Sequence, residues 1–138
     1  MIETVRISEK GKTQLITLKR RTGIQNWNVL CRWAFCISLK EQKEPPIEDI
    51  PADSSIEMTW KTFTGGDEEL YFALLKQRAF EAGVESDREK LNKYFRLHLH
   101  RGISYMTGNT KLLKSTPPEK INTFSDTESL ADLNSEPS

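Results

Sequence analysis

The segment that most constrains the fold is the run "WNVLCRWAFCISL" from Trp27 to Leu39, in which Arg32 is the only charged residue. Asn26 precedes it and is a suitable N-cap for a helix. At helical spacing, the apolar side chains of this run cover nearly the whole circumference. A small domain cannot enclose a helix on all sides alone. The run therefore predicts a helix that packs against a second copy of the chain.

The residues before this run predict a short strand and a first helix. Val5 and Ile7 alternate with polar residues, which indicates a strand over residues 2–7. Ser8 is a suitable cap for the helix that follows, and Gly23 is placed to end it. The first forty residues thus predict the order strand, helix, short turn and helix.

The rest of the chain predicts an arm and two more helices. The proline- and acid-rich "KEQKEPPIEDIPADSS" indicates an extended connector, and the alternating "SIEMTWKTF" indicates a strand or extended arm. Asp67 opens a helix that Gly83 stops, with apolar spacing at Leu70, Ala73, Leu74, Gln77 and Phe80. Ser86 or Asp87 caps a last helix that carries Leu91, Tyr94, Phe95, His98 and Leu99 and ends near Gly102.

These elements predict a mainly α fold with a short N-terminal strand. One domain is expected over residues 1–110: an N-terminal unit (1–40), a connector and arm (41–66) and a helical pair (67–110). Residues 111–138 are rich in Ser, Thr, Pro and acids and are predicted to be a disordered tail. No segment has the length and apolarity of a membrane span, so we expect a cytoplasmic protein with no membrane partner.

The charges are unevenly distributed along a chain whose net charge is zero. Residues 1–40 contain eight basic and two acidic residues, net +6, and residues 86–114 contain seven and two, net +5. Two basic segments separated by an acidic one suit a polyanionic partner better than a uniform surface does.

No pattern of catalytic or metal-binding residues stands out. His98 and His100 are two positions apart, which points them to different sides of a helix. The acids at Asp67–Glu69 are explained by the dipole at a helix start. Cys31 and Cys36 lie five apart, a spacing typical of neither disulfide, zinc nor redox sites. The chain is therefore predicted to have no enzymatic activity, cofactor or metal.

Strand, helix, short turn and apolar helix is the order found in ribbon-helix-helix repressors, in which the strands of two chains pair and enter the major groove. In that arrangement Thr4 and Arg6 would face base edges, and the start of the second helix would face a phosphate. The predicted DNA-binding residues are Arg6, Lys10, Lys12, Lys19, Arg20, Arg21 and Asn26. The alternative is a dimerisation module with an exposed basic rim.

Four stretches together resemble the DndE family of DNA phosphorothioation systems, up to about residue 110. They are "RISEKGKTQLITLKRRTGIQNWNVLCRWAFCISL", "IPADSSIEMTWKTFTGG", "ELYFALLKQR" and "LHLHRGISYM". The resemblance implies a small, mostly helical, self-associating subunit of a restriction-modification machine that works on bacterial DNA. In that machine a cysteine desulfurase supplies sulfur, an iron–sulfur partner transfers it and an ATPase completes the assembly. This subunit would engage duplex or nicked DNA and organise the sulfur transferase and the ATPase.

Three hypotheses follow: a DNA-binding subunit of the modification complex, which we favour, a ribbon-helix-helix repressor, and a scaffold that binds only proteins. A persulfide on Cys31 or Cys36 is disfavoured, because both lie in the most apolar helix. A homo-oligomer is expected, with a tetramer favoured over a dimer. Its second interface is predicted around Trp60, Phe63, Tyr71 and Phe72.

Overall fold

The computed structural model describes residues 1–108, so the predicted tail at 111–138 lies outside the described residues. Five helices and two short strands follow one another in this part of the chain. They are β1 (Thr4–Arg6), α1 (Glu9–Thr22), α2 (Trp27–Lys40), β2 (Glu57–Thr59), α3 (Trp60–Thr64), α4 (Glu68–Glu81) and α5 (Arg88–Gly108). This confirms the predicted mainly α class with a short N-terminal strand.

The N-terminal strand–helix–helix order is confirmed, and its helix ends follow the local capping signals. The Ser8 hydroxyl accepts a hydrogen bond from the Gly11 amide at 3.0 Å, which satisfies one of the free donors of the first turn of α1. Gly23 ends α1 in the left-handed conformation, with φ 77°, and Asn26 occupies the N-cap position of α2.

The partner of β1 differs from that of a ribbon-helix-helix dimer, because β1 pairs antiparallel with β2 of the same chain. Val5 lies opposite Met58, and Arg6 lies opposite Glu57. The predicted arm is only half extended, since Thr59 caps α3 by accepting a hydrogen bond from the Thr62 amide. The strand prediction for "SIEMTWKTF" was therefore wrong from Trp60 onward.

Helix α2 is the centre of the fold rather than an exposed apolar element. Every residue from Val29 to Phe35 is buried, and helices α1, α3 and α5 pack around it. The buried guanidinium of Arg32 donates to the Phe63 carbonyl oxygen at 2.7 Å, which satisfies the one charge in this run. The chain thus encloses α2 by itself, and the argument that α2 requires a second copy was wrong.

The second apolar element expected to form an interface is also internal. Trp60, Phe63 and Tyr71 are buried, while Phe72 is half-buried. The rings of Phe63 and Phe95 lie 5.1 Å apart, centroid to centroid, in an edge-on arrangement. Such aromatic contacts stabilise a core beyond the area that they bury. These residues join α3, α4 and α5 within one chain, so the predicted interface around them was wrong.

Helix α5 continues six residues past Gly102, where the sequence predicted its end. Gly102 lies against the backbone of α2, and a Cβ atom built on it would be 1.8 Å from the Ala34 carbonyl oxygen. This glycine therefore permits a close approach of two helices and does not terminate one. The sequence prediction mistook a packing glycine for a helix stop.

Helix α4 presents to solvent the stripe that the sequence singled out. Its buried residues are Tyr71, Leu75 and Ala79, which contact the rest of the domain. Leu70 and Leu74 lie on the other side and are exposed. The residues that the sequence singled out share one face of α4, as predicted, but that face is exposed. The face that packs on the core is the one with Tyr71, Leu75 and Ala79.

Candidate nucleic-acid interface

The basic residues of α1 lie on its outward face and flanks. Gly11, Leu15 and Leu18 form the buried face of this helix, which packs against α2 and α5. Five cationic side chains surround that face: Lys10, Arg20 and Arg21 are exposed, and Lys12 and Lys19 are half-buried. A helix of this length spans about 21 Å, so these charges extend over several phosphates of a DNA backbone.

None of these five cations pairs with a carboxylate among residues 1–108. Lys12 Nζ donates to the Ser55 hydroxyl at 2.9 Å, and Arg21 Nη1 donates to the Thr107 carbonyl at 3.0 Å. Lys19 Nζ lies 4.0 Å from the centroid of the Trp27 ring. These neutral partners hold the side chains in place and leave their charge uncompensated. We call these five residues the α1 cation set.

The end of α1 and the start of α2 bring part of the predicted site together. Lys19, Arg20 and Arg21 occupy the last turn of α1, and Asn26 begins α2 four residues after the helix ends. Asn26 is exposed at this position. The first turn of α2 contains no acid, so its positive dipole end adds to the three cations.

Arg6 ends β1, outside helix α1, and is exposed. Its guanidinium forms an ion pair with Glu57 of β2 at 2.5 Å, and its side chain remains 53% exposed. The sequence predicted that Arg6 enters a DNA groove, but in this structure Arg6 already pairs with the carboxylate of Glu57. Arg6 therefore differs from the α1 cation set in having a carboxylate partner.

Arg96, which sequence reasoning missed, lies beside Arg6. Its Nε and Nη2 atoms are buried and have no hydrogen-bond partner among residues 1–108. Burial, followed by the nearby Arg6 charge, lowers the pKa of Arg96. The only sequence signal for this residue was its membership of the second basic segment. An anion at this place would compensate a guanidinium that the described residues leave unpaired.

Most of the other basic residues of α5 are already compensated. Arg88 Nη1 lies 3.7 Å from Glu3, Lys93 Nζ lies 3.8 Å from Asp49, and Lys90 pairs with Glu85. The guanidinium of Arg101, in contrast, donates to the neutral carbonyl oxygens of Ser38 and Lys43 at 2.8 and 2.6 Å. Among residues 1–108, carboxylates therefore pair with three of the five basic residues of α5, whereas the α1 cation set has no such partner.

A family model described as DNA sulphur modification protein DndE matches residues 4–114. The chain belongs to the DndE family. This membership gives it a role in DNA phosphorothioation. No curated protein matches the chain.

Solved DndE structures share the fold. The crystal structure of DndE from Escherichia coli B7A, involved in DNA phosphorothioation modification, is 23% identical with a TM-score of 0.65. The match covers 77% of this chain and 98% of that one. A DndE G21/24K mutant, involved in DNA phosphorothioation, is 19% identical with a TM-score of 0.62, covering 79% and 100%. At these identities, the likeness establishes the fold alone.

Both histidines of this DndE-family chain make hydrogen bonds within the fold. His98 is fully buried with its Nδ1 2.8 Å from the Ser38 hydroxyl, and burial, then Arg101 and Arg78, lowers its pKa to about 4. His100 accepts a hydrogen bond from the Ser8 amide on Nε2 at 3.1 Å. Within residues 1–108 no three potential metal-binding side chains cluster, and no helix there has the length and apolarity of a membrane span.

The two cysteines of this chain differ in their degree of burial. Cys31 is fully buried, and desolvation raises the pKa of its thiol to about 12. Cys36 is half-buried on the same helix. Because sulfur transfer requires a thiolate, the environment of Cys31 disfavours a persulfide on that residue.

A cavity of about 570 Å³ separates α1 and α5 from the connector. Four of its lining residues are acidic: Glu9, Glu48, Asp49 and Asp53. Asp53 is engaged, since its carboxylate accepts from the Glu9 amide at 2.8 Å. Two basic side chains, Lys10 and Arg101, line the same cavity.

Proposed function

We propose that this DndE-family protein is the DNA-engaging, non-enzymatic subunit of the phosphorothioate modification machinery. Its contact with duplex or nicked DNA is made through phosphates by the α1 cation set. The observation that supports this role is the absence of any carboxylate partner for these five cations within the described residues. Uncompensated cations along one helix attract a polyanion, whereas paired ones do not.

Phosphate contacts of this kind position a protein without reading sequence. Each contact releases a condensed counterion, so binding weakens steeply as salt rises. Five contacts correspond to a slope of about −4.5 in a plot of log K against log salt. Asn26 and the first turn of α2 would add a neutral phosphate contact beside Lys19, Arg20 and Arg21.

A preference for nicked duplex follows from the chemistry proposed for the machine. Replacement of a non-bridging phosphate oxygen requires an accessible, strained or interrupted backbone. An interrupted backbone adapts to a set of fixed cations at a lower deformation cost than an intact one does. In this role the protein holds the DNA and organises the sulfur transferase and the ATPase of the complex.

A ribbon-helix-helix repressor is the alternative that the fold supports less well. That function requires two β1 strands to pair and present Arg6 to base edges. Here β2 already occupies one edge of β1, and Glu57 holds Arg6. The third possibility, a scaffold that contacts only proteins, predicts no DNA binding at all.

The proposal is tested by titrating the purified protein on matched intact and nicked duplexes of two unrelated sequences. Each titration is run at about 50 mM and about 200 mM salt, between which a protein with this many phosphate contacts loses several hundredfold in affinity or more. Binding that favours the nicked duplex and ignores sequence supports the proposal. Sequence-dependent binding with no nick preference supports the repressor, and no binding to either duplex supports the scaffold.

A further inference from the structure

The last eighteen residues of the chain, "INTFSDTESLADLNSEPS" at 121–138, contain four acidic side chains and no basic one. The acids are Asp126, Glu128, Asp132 and Glu136. Residues 109–120, which precede them, contain three lysines and one acid, so their net charge is +2. We call residues 121–138 the acidic segment. It lies wholly beyond residue 114, where the match to the DndE family model ends.

The described part of the chain ends beside the α1 cation set. Arg21 Nη1, at the end of α1, donates to the Thr107 carbonyl oxygen of α5 at 3.0 Å. Gln14, in the middle of α1, donates to the Ser104 hydroxyl of α5 at 3.3 Å. Helix α5 ends at Gly108, one residue after Thr107. The chain therefore leaves α5 at the end of α1 that holds the last-turn cations Lys19, Arg20 and Arg21.

The acidic segment is long enough and close enough along the chain to reach all of α1. Asp126 follows Gly108 by 18 residues, and a chain of that length spans at most about 60 Å. The α1 cation set extends along a helix of about 21 Å. A contact within one chain also has an effective concentration on the order of mM, far above that of a separate molecule in dilute solution.

The acidic segment and the α1 cation set complement each other in sign and in number. Among residues 1–108 the five cations have no carboxylate partner, and the acidic segment has four carboxylates. Residues 109–120 are net positive, so they do not compensate the neighbouring cations. The cations Arg88, Lys90 and Lys93 of α5 are already paired. Carboxylates of the segment are therefore drawn to α1 rather than to α5.

We propose that the acidic segment is an internal competitor of DNA, whose carboxylates bind the α1 cation set until a DNA backbone displaces them. This inference rests on the proposed function, because it concerns regulation of the same cations. When the segment occupies the cations for four-fifths of the time, DNA binds about fivefold more weakly than to free cations. The contact is between exposed charges, so salt weakens it. The segment thus limits the occupancy of weakly bound DNA.

The first test removes charge from the acidic segment in the full chain. Asp126→Asn/Glu128→Gln/Asp132→Asn should tighten binding to a nicked duplex about three- to fivefold at about 50 mM salt. The gain should be smaller at about 200 mM, because salt has already released the segment from the wild type. In a chain that also carries Lys10→Gln/Arg20→Gln/Arg21→Gln, the same three changes should have little effect, since the cations that they free are absent.

The matched control is Glu69→Gln/Glu81→Gln/Glu89→Gln. It changes the net charge by the same amount through three exposed acids of α4 and α5. Circular dichroism shows whether each variant is folded. Tightening confined to the acidic-segment variant supports the proposal. Equal tightening in the control, or DNA binding that the acidic-segment variant leaves unchanged, overturns it.

The second test detects the contact without DNA, so its result does not depend on the proposed function. A carbodiimide couples carboxylates directly to lysine amines that touch them. At about 50 mM salt we expect coupling of the acidic segment to Lys10, Lys12 and Lys19, but little to Lys61 and Lys76, which are exposed on α3 and α4. Mass spectrometry of mixed isotope-labelled and unlabelled protein shows whether each link joins residues of one chain.

The two tests separate the inference from the function on which it rests. Coupling to the α1 lysines, without DNA binding by any variant, supports the contact and overturns the proposed function. DNA binding by the wild type without such coupling overturns the inference and leaves the proposed function in place. Equal coupling to Lys61 and Lys76, or links only between chains, also overturns the inference.

Discussion

Two arginines, Arg78 of α4 and Arg101 of α5, face inward and bind the C-terminus of α2. The cations of α1 face outward, and the two groups differ in what their charge contacts. Arg78 donates to the carbonyl oxygens of Leu39 and Glu41, both at 2.8 Å, and pairs with Glu44. Arg101 donates to the Ser38 carbonyl oxygen at 2.8 Å. These two side chains satisfy carbonyl groups at the C-terminus of α2, where the Ser38 carbonyl also accepts a hydrogen bond from the Glu41 amide at 3.1 Å.

The α1 cation set satisfies no such need. Its contacts are a hydroxyl, an aromatic ring and one carbonyl at the last turn of α5. The comparison teaches that net charge per segment does not locate a binding surface. The two regions differ in whether the charged side chain satisfies polar groups that the fold leaves without partners.

The largest effect on the free energy of unfolding is expected at Gly102, where α5 packs against α2. Gly102→Ala places a methyl group 1.8 Å from the Ala34 carbonyl oxygen, so α2 and α5 must separate. We expect a loss of more than about 3 kcal/mol in the free energy of unfolding, or no folded protein. Urea unfolding measures this, with Gly108→Ala as the control, since that Cβ meets no atom within 4 Å. Equal stability of the two variants would contradict the close helix contact.

The next effect tests the inward arginines directly. Arg78→Met retains much of the side-chain volume and removes the hydrogen bonds to Leu39 and Glu41. We expect a loss of about 2–3 kcal/mol in the free energy of unfolding, because carbonyl groups that arginine satisfied become unpaired. Arg88→Met, which removes an exposed ion pair, should change stability by less than about 0.5 kcal/mol. Equal losses from both variants would break the comparison.

Acid should lower the free energy of unfolding in a defined pH range, because His98 is buried. His98 has a folded-state pKa of about 4, below that of an unfolded histidine, so unfolding takes up a proton as the pH falls below about 6.5. The stability is complete above that pH and is lost progressively towards pH 4. Between pH 7.5 and pH 5 the loss attributable to His98 is at most about 2 kcal/mol.

Urea unfolding at several pH values, for the wild type and His98→Asn, measures this loss. The variant should be less stable at pH 7.5 and should show a smaller dependence on pH. The pKa of His100 is also lowered, mainly by burial, so a residual dependence will persist in the variant. An unchanged pH dependence in His98→Asn would show that this buried histidine does not control acid sensitivity.

The smallest effect on stability is expected on the outward side. Lys10→Gln/Arg20→Gln/Arg21→Gln removes three exposed charges that have no carboxylate partner in the described residues. Thermal and urea unfolding should differ from the wild type by less than about 0.5 kcal/mol for each substitution. A large destabilisation would show that these cations support the fold and would remove the contrast with Arg78.

Much of the N-terminal half was predictable because its signals are local. Ser8, Gly23 and Asn26 mark helix ends through caps that depend on a few neighbouring residues. The pairing of β1 with β2 was not predictable, since it joins segments about fifty residues apart. The role of Gly102 was hidden for the same reason, because its cause is Ala34 on another helix.

The candidate site was predictable in composition but not in arrangement. The sequence identified the cations of α1 and grouped Arg6 with them, but it could not show that Glu57 pairs with Arg6. It could not recognise Arg96, whose unpaired buried nitrogens depend on how α5 packs in the folded chain. It also could not assign the two apolar faces of α4, since periodicity alone does not show which face is covered.

The most direct test of the central claim is the salt dependence of binding to a nicked duplex for three proteins. They are the wild type, the Lys10→Gln/Arg20→Gln/Arg21→Gln variant and a matched Arg88→Gln/Lys90→Gln/Lys93→Gln variant, whose cations are ion-paired in the structure. The account predicts that the α1 variant alone loses affinity and reduces the slope of log K against log salt by about 2–3. Equal losses in both variants, or a loss confined to the α5 variant, would contradict it.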